Sequence, residues 1–350
     1  MTEDIAGRCA AYLKYRMPEA EDVGIASVGR IFGGASCETY RVRAFWTDGE
    51  TKVERGLIFR RDSAGGIIET ERKVEFHAYH ALHGLGLPVP EALYLEEDPQ
   101  WLERPFFVME EIEGCTVASA ISPALEFGEN AAKIGEQFFS ILGRLCRLTP
   151  ESVPELHNCL EPVNPQDVWR RELDYWEKEI DKDSPTPQPV IKAGIRWLRN
   201  NPPPPPQKLC FVHGDYRSGN FMFNPQGEIK AILDWELVHL GDPLEDLAWA
   251  TDPLWEGVDG TVGKMVMLAK AVEIWERASG LKLDPAAFKW WRLFNHIKGM
   301  AIWISAGAEY AAKRNLDPIM VVPAWWAGDR HERLIIQFLL DRNQEKGAQA

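Results

Sequence analysis

The chain has 350 residues, 45% of them apolar and 26% charged, and a formal net charge of −14. That length exceeds one ordinary core and suits two packed lobes, and the composition is that of a soluble globular protein. The acidic balance excludes a nucleic-acid backbone as the main partner, because phosphate chains are bound by an excess of Lys and Arg.

Six cysteines, at 9, 37, 115, 146, 159 and 210, include no Cys-x-x-Cys pair. Neither a zinc site nor a disulfide framework is expected, and the thiols read as reduced. The first thirteen residues are acidic and lack the basic and apolar regions of a secretory leader. No apolar run approaches the ~20 residues that cross a bilayer. The expectation is a cytoplasmic protein with no membrane partner.

Residues 3–16 carry Ile5, Cys9, Tyr12 and Leu13 at helical spacing. Val28 to Val42 reads as strand, glycine turn, strand, with Gly33, Gly34 and Ser36 in the turn. A glycine pair lets backbone approach a ligand and a serine hydroxyl can donate to phosphate oxygens, although a plain hairpin needs the same turn. Lys52 to Arg60 follows as a third strand, in which alternation puts Ile58 and Arg60 on one face and Phe59 and Arg61 on the other. Arg60 is the inward cation if Ile58 lines a ligand slot; a solvated Arg pair closing an edge strand is the alternative.

Glu69 to Leu82 reads as a helix with Val74, Ala78, Ala81 and Leu82 as its stripe, and both Glu71 and Glu75 can reach Arg60. His77, His80 and His83 drift around this helix and read as packing or surface residues rather than metal ligands. Pro88 and Pro90 stiffen a link into Leu93 to Leu95, and Pro105 to Ile112 is a buried strand. Beyond Gly114 the pattern turns helical, with stripes at Ile134, Phe138, Ile141, Leu142 and Leu145 and at Val168, Trp169, Leu173, Trp176 and Ile180. Pro202 to Pro206 make a polyproline II spacer, with an SH3-type docking motif as the weaker alternative. Asp242, Pro243, Glu245 and Asp246 mark a helix start, with a cap, a proline at the first position and carboxylates at the positive end. Residues 261–341 read as helical and rich in tryptophan, mostly core, and as the natural place for an acceptor pocket.

The chemistry concentrates in Phe211 to Asn220 and Ile229 to Trp235. An apolar lead-in delivers His213, Gly214 and Asp215, Asn220 comes five residues after Asp215, and a second apolar run ends in Asp234. Carboxylate and amide oxygens are hard ligands suited to Mg²⁺, which keeps waters and takes one or two carboxylates plus substrate phosphates. A carboxylate just upstream of them can orient a substrate hydroxyl and accept its proton, as phosphoryl transfer requires.

Taken together, His-Gly-Asp, Asn five residues on, and an apolar strand ending Leu-Asp-Trp closely resemble the aminoglycoside phosphotransferase and choline kinase family of small-molecule kinases. The resemblance covers roughly residues 25 to 250. It implies an α+β, two-lobed protein-kinase-like fold: an antiparallel-sheet N-lobe over 1–109, a hinge at 110–114 and a mainly helical C-lobe over 115–350. It implies Asp215 as the base, Asn220 and Asp234 as Mg²⁺ ligands, and His213 as a support for the loop. Gly33, Gly34 and Ser36 would cover the ATP phosphates, with Cys37 where Asn is common. Arg60 stands where kinases carry a strand lysine, Glu75 is its helix partner, Ile58 lines the adenine slot, and backbone groups of Glu110 and Ile112 meet the adenine. Asp246 would stabilise the catalytic loop.

The expected reaction is ATP- and Mg²⁺-dependent phosphorylation of a hydroxyl on a small molecule. The wording around Leu87 to Pro90, His213 to Asn220 and Gly241 to Ala250 looks like the branch joined to acyl-CoA dehydrogenases, which points to a hydroxyacyl acceptor over an aminoglycoside. A non-catalytic nucleotide-binding scaffold is favoured by the missing strand lysine but leaves the intact set of Asp215, Asn220 and Asp234 unexplained. A metal hydrolase leaves the glycine turn and the hinge without a role.

Overall fold

The computed structural model describes residues 2–31, 37–62, 72–119, 127–316 and 318–347. Gly33, Gly34, Ser36 and Glu71 lie outside the described residues. The chain opens with helix α1 (Thr2–Arg16) and continues through strands β1 (Glu21–Ile31), β2 (Cys37–Asp48) and β3 (Thr51–Asp62), helix α2 (Arg72–Leu82), and strands β4 (Ala92–Glu96) and β5 (Phe106–Glu110). The five strands form one sheet in the order β1-β2-β3-β5-β4, antiparallel throughout.

Strand alternation divides this sheet into two apolar faces. Leu57 and Phe59 of β3, with Phe106 and Val108 of β5, pack against Cys9, Tyr12 and Leu13 of α1. Ile58 of β3, with Phe107 and Met109 of β5, faces Phe76 and Tyr79 of α2 and joins the main core. Arg60 therefore follows Ile58 toward α2, and Arg61 follows Phe59 to the other side. There Arg61 donates to Leu102 O at 2.8 Å and to Tyr40 Oη at 3.1 Å, and pairs with Glu38.

The rest of the chain is mainly helical. It contains β6 (Thr116–Val117), α3 (Ala131–Leu145), α4 (Pro154–His157), α5 (Val168–Asp183), α6 (Pro189–Asn200), β7 (Cys210–Val212), β8 (Phe221–Phe223), β9 (Ile229–Ile232), β10 (His239–Gly241) and α7 (Pro243–Ala250). It ends with β11 (Thr261–Val262), β12 (Val266–Met267), α8 (Leu268–Ser279), α9 (Pro285–Ala311) and α10 (Val322–Gly347). Helix α9 is the spine and packs against α5, α6, α7 and α10. Trp275, Trp290 and Trp291 are fully buried, whereas Trp325 and Trp326 of α10 are exposed. At the crossing of α3 and α8, a Cβ on Gly143 would lie 2.6 Å from the Ala278 Cβ, so the close approach needs glycine.

One expectation changes. Residues 261–267 are not helical: Thr261 and Val262 pair antiparallel with Met267 and Val266. Helix α6 lies in the stretch expected to be helical, opened by Pro189 at its first position and burying Ile191, Gly194, Ile195 and Leu198. His77 and His80 both meet Glu155 Oε1, at 3.1 and 2.8 Å, so this pair has a surface carboxylate partner.

Candidate active site

Two short antiparallel pairs build the frame. Strand β7 pairs with β10, and β8 pairs with β9 and β6, so the segment His213 to Asn220 is stretched between two fixed ends. Gly214 adopts φ +84°, and a Cβ there would sit 2.4 Å from Leu237 O; only glycine fits. Asp246, on the first turn of α7, accepts from the backbone N–H of His213 at 2.6 Å and of Gly214 at 3.0 Å. Lys298 of α9, buried, donates to Gly214 O at 2.5 Å and pairs with Glu245 at 2.9 Å.

His213 is fully buried against Trp235. Its Nδ1 accepts the Asp215 N–H at 3.1 Å, which fixes the proton on Nε2, and Nε2 donates to Leu233 O at 2.9 Å. The imidazole thus ties the loop carrying Asp215 to the residue preceding Asp234.

Asp215 is densely held. Its Oδ1 accepts from Trp249 Nε1 at 2.6 Å and Arg217 Nε at 2.9 Å, and its Oδ2 accepts from Asn220 Nδ2 at 2.6 Å. Asn220 also donates to Asp215 O at 2.9 Å, so its amide nitrogen is committed and its carbonyl oxygen is turned away from these bonds. Leu233 N–H donates to Asn220 O at 2.8 Å across the strand ends, which sets Asp234 beside Asn220. Asp234 holds a left-handed backbone, φ +70° and ψ +59°, uncommon outside glycine, and its N–H donates to Tyr79 Oη at 2.8 Å.

From the sheet, Arg60 Nη2 reaches Asp234 Oδ1 at 2.9 Å and Glu75 Oε1 at 2.8 Å. Glu75 is fully buried, and its other oxygen takes Arg72, which also donates to Asp62 Oδ1 at 2.8 Å. Burial disfavours the Arg60 charge, but Cys37, Glu75, Tyr79 and Asp234 outweigh it and hold the guanidinium above its ordinary pKa. Burial pushes Asp234 up, whereas Arg60 pulls it further down, leaving the carboxyl below its usual range.

Arg60, Glu75 and Asp234 thus form one cluster, and Asp215 and Asn220 form another that meets it at Leu233. Ile58 shares the face of Arg60 and is buried. Glu110 lies opposite Leu57, three residues along β3 from Arg60 or roughly 10 Å. Its N–H is spent on Glu91 O at 3.0 Å and its side chain accepts from Glu91 N at 2.9 Å. Any base contact from Glu110 therefore falls to its carbonyl. Ile112, half-buried, follows the turn in which Glu111 N–H donates to Gly56 O.

Sequence reasoning missed Arg72, Tyr79, Trp249, Arg217 and Lys298. Arg72 and Glu75, and likewise Asp246 and Trp249, stand three apart on a helix and share a face, so both could have been found by asking what lies one turn away. Lys298 is 84 positions from Gly214, and no local pattern points to it.

Beneath the loop, His239 Nε2 faces Glu245 at 3.1 Å and Glu172 at 3.7 Å, and its Nδ1 meets Leu237 O at 2.9 Å. Burial lowers this imidazole's pKa, but the two carboxylates more than reverse that and raise it to about 9. Lys298 and His239 together take Glu245 down to about 2 against its burial.

The family model for the phosphotransferase enzyme family matches residues 29–281. Acyl-CoA dehydrogenase family member 11 of Gallus gallus is 29% identical over 241 residues, which are 66% of this chain and 28% of that protein. Family member 10 of Mus musculus is 31% identical over 222 residues, 62% of this chain and 19% of its own. The chain spans less than a third of the length of these relatives. Among solved structures, a Ralstonia eutropha protein described as an aminoglycoside phosphotransferase has a TM-score of 0.71 at 19% identity, over 95% of this chain and 97% of that one. Choline kinase LicA from Streptococcus pneumoniae has a TM-score of 0.60 at 15% identity, over 95% and 99%. The fold is the two-lobed α+β protein-kinase-like one, with an antiparallel-sheet lobe and a mainly helical lobe. Among the described residues no helix is long and apolar enough to cross a membrane.

Proposed function

The chain belongs to the phosphotransferase enzyme family, and from that membership we propose that it transfers the γ-phosphoryl of ATP, with Mg²⁺, to a hydroxyl of a small molecule. The observation that carries the reading is Arg60 reaching from the sheet to Asp234 at 2.9 Å, with Asn220 and Asp215 on the adjoining loop.

The donor set fits the two ligands. Asn220 offers an amide oxygen and Asp234 a carboxylate, the hard oxygens that suit Mg²⁺. Arg60 Nε is buried without a hydrogen-bond partner, a donor a phosphate oxygen would satisfy. Bound Mg²⁺ would neutralise charge on the phosphates. Asn220 and Asp234 would hold it, Arg60 would grip phosphate with Glu75 steadying it, and Ile58 with the Glu110 carbonyl and Ile112 would face the base. Gly33, Gly34 and Ser36 would close over the phosphates. In this division residues 1–109 cover the nucleotide, 110–114 are the hinge and 115–350 carry the loop and acceptor pocket. Asp215, fixed by Trp249 and Asn220, would take the hydroxyl proton; such positioning and charge matching supply most of the rate in phosphoryl transfer.

The acceptor we propose is a hydroxyacyl compound. Support comes from the relatives, which bear the name of acyl-CoA dehydrogenases. A structural neighbour at TM-score 0.59 was solved with GDP and kanamycin, so kanamycin is the comparison substrate. The test is ADP release from Mg·ATP across hydroxy acids, their thioesters, choline and kanamycin, with Asp234→Ala as control. Substrate-dependent ADP release that Asp234→Ala abolishes is expected; release from kanamycin alone would replace the acyl acceptor, and none with any alcohol would end the kinase reading.

A further inference from the structure

Behind Trp249 the fold buries three ligand-type side chains that the phosphotransfer site does not use. Asp252 follows α7, His296 lies on α9 and His331 on α10, and they are 1%, 5% and 0% exposed. His296 Nδ1 is 2.9 Å from Asp252 Oδ2, and His331 Nε2 is 3.4 Å from Asp252 Oδ1. One ligand atom from each residue lies within 4.8 Å of the other two. Asp252 Oδ2, His296 Nδ1 and His331 Nε2 nevertheless have no hydrogen-bond partner among the described residues.

Buried polar atoms that converge without a directed hydrogen bond call for an ion or other group between them. Two imidazoles and a carboxylate are zinc ligands, and tetrahedral bonds of ~2.0–2.1 Å separate neighbouring ligand atoms by roughly 3.3 Å. The two contacts above straddle that edge. The Leu254 N–H donates to Asp252 Oδ1 at 2.7 Å and fixes the carboxylate, as the outer shell of a metal site does. Charge agrees with the geometry. Among the described residues Asp252 pairs with no lysine or arginine, and burial holds His296 below its ordinary pKa, against the pull of Asp252, in the neutral form that binds metal. Glu172, His239 and Glu245 also converge, but Arg171 and Lys298 already supply their positive charge.

The chain makes room for the cluster. Gly299 stands inside α9, where glycine is disfavoured, and a Cβ there would overlap the His331 ring. Trp303 Nε1 donates to His331 Nδ1 at 3.2 Å, which puts the proton of the neutral ring on Nε2. An ion at Nε2 shifts that proton to Nδ1, and the half-buried indole turns its N–H to water. One neutral hydrogen bond is a small loss beside the metal bonds gained.

We propose that Asp252, His296 and His331 form a structural zinc site, with Asp252 Oδ1 or a water in the fourth position. The ion joins the turn after α7 to α9 and α10. The His331 ring lies 6.1 Å from that of Trp249, whose N–H reaches Asp215 at 2.6 Å, so the ion also backs the side chain that orients Asp215. The site shares no residue with Asn220 and Asp234, and it stands whether or not the chain is a kinase.

The test uses the untagged full chain, loaded with Zn²⁺ and dialysed into metal-free buffer. Elemental mass spectrometry should find about one zinc per chain. Removing it with dipicolinate should lower the melting temperature, and Zn²⁺ but not Mg²⁺ should restore it. His331→Gln and Asp252→Asn should each weaken Zn²⁺ binding by about a hundredfold or more, whereas His80→Gln, outside the cluster, keeps it. Anomalous diffraction at the zinc edge on wild-type crystals should place the ion among the three side chains, and it decides the question where a variant does not fold. The proposal is overturned by a wild type that retains no zinc, by a melting temperature indifferent to its removal, by zinc kept in folded His331→Gln or lost in His80→Gln, or by an anomalous peak elsewhere.

Discussion

Arg60 Nη2 lies 2.9 Å from Asp234 Oδ1 and joins the sheet to the acidic end of β9. The neighbouring Arg61 turns to the opposite face, toward Glu38 and Leu102. Arg60→Ala is expected to raise KM for ATP by about tenfold or more, whereas Arg61→Ala changes it by less than about twofold. Stability responds differently: Arg60→Ala takes one of two arginines from fully buried Glu75, which keeps Arg72, and should cost about 1.5–3 kcal/mol, whereas Arg61→Ala leaves Glu38 with Arg30 and Tyr40. Steady-state kinetics on both variants, with melting curves beside them, separates the two effects; a reversed KM ranking overturns the assignment of Arg60.

The alternation that divides these arginines was readable in the sequence, because period two is a property of the strand itself and survives any packing. The same holds for the cap: Asp242 accepts from Leu244 N–H at 2.9 Å with Pro243 at the first helical position. What the sequence hid was whatever depends on distant chain. Trp249, whose position in Leu-Ala-Trp reads as core, turns its N–H to Asp215, and Lys298 arrives from α9. The strands at 261–267 are two residues each, too short for any periodicity to register.

Asp215 is held from Trp249 and Asn220 as well as Arg217, so its orientation depends on all three. Asp215→Asn is expected to lower kcat by about 10²–10⁴, with Mg·ATP affinity nearly unchanged. Trp249→Phe keeps the ring and removes one donor, and should lower kcat with little change in KM for ATP. Near-normal turnover in Asp215→Asn sinks its assignment as base.

His239 makes stability depend on alkaline pH. The folded pKa is raised, to about 9, above the ordinary 6.5, so the gain is fully present below pH ~6.5 and is lost as pH rises through about 9. The shift corresponds to about 3 kcal/mol. The melting temperature of the wild type should fall between pH 6.5 and 10, by more than that of His239→Gln, which lacks the titrating group and starts lower. Parallel curves for the two proteins would remove His239 from this role.

Lys298 sits between a stability role and a positioning role, because one ammonium group serves both Glu245 at 2.9 Å and Gly214 O at 2.5 Å. Lys298→Met leaves Glu245 buried with only His239 opposing its charge, and should cost about 3–5 kcal/mol. Pairing it with Glu245→Gln removes the uncompensated charge and should restore much of the melting temperature. The Gly214 carbonyl stays unheld in the double variant, so the peptide leading into Asp215 keeps its freedom. We expect kcat to remain lowered by about tenfold or more in the restored protein while Mg·ATP affinity matches the wild type. Recovery of kcat together with stability would mean that Lys298 only balances charge, and that Asp246 and His213 alone set the loop.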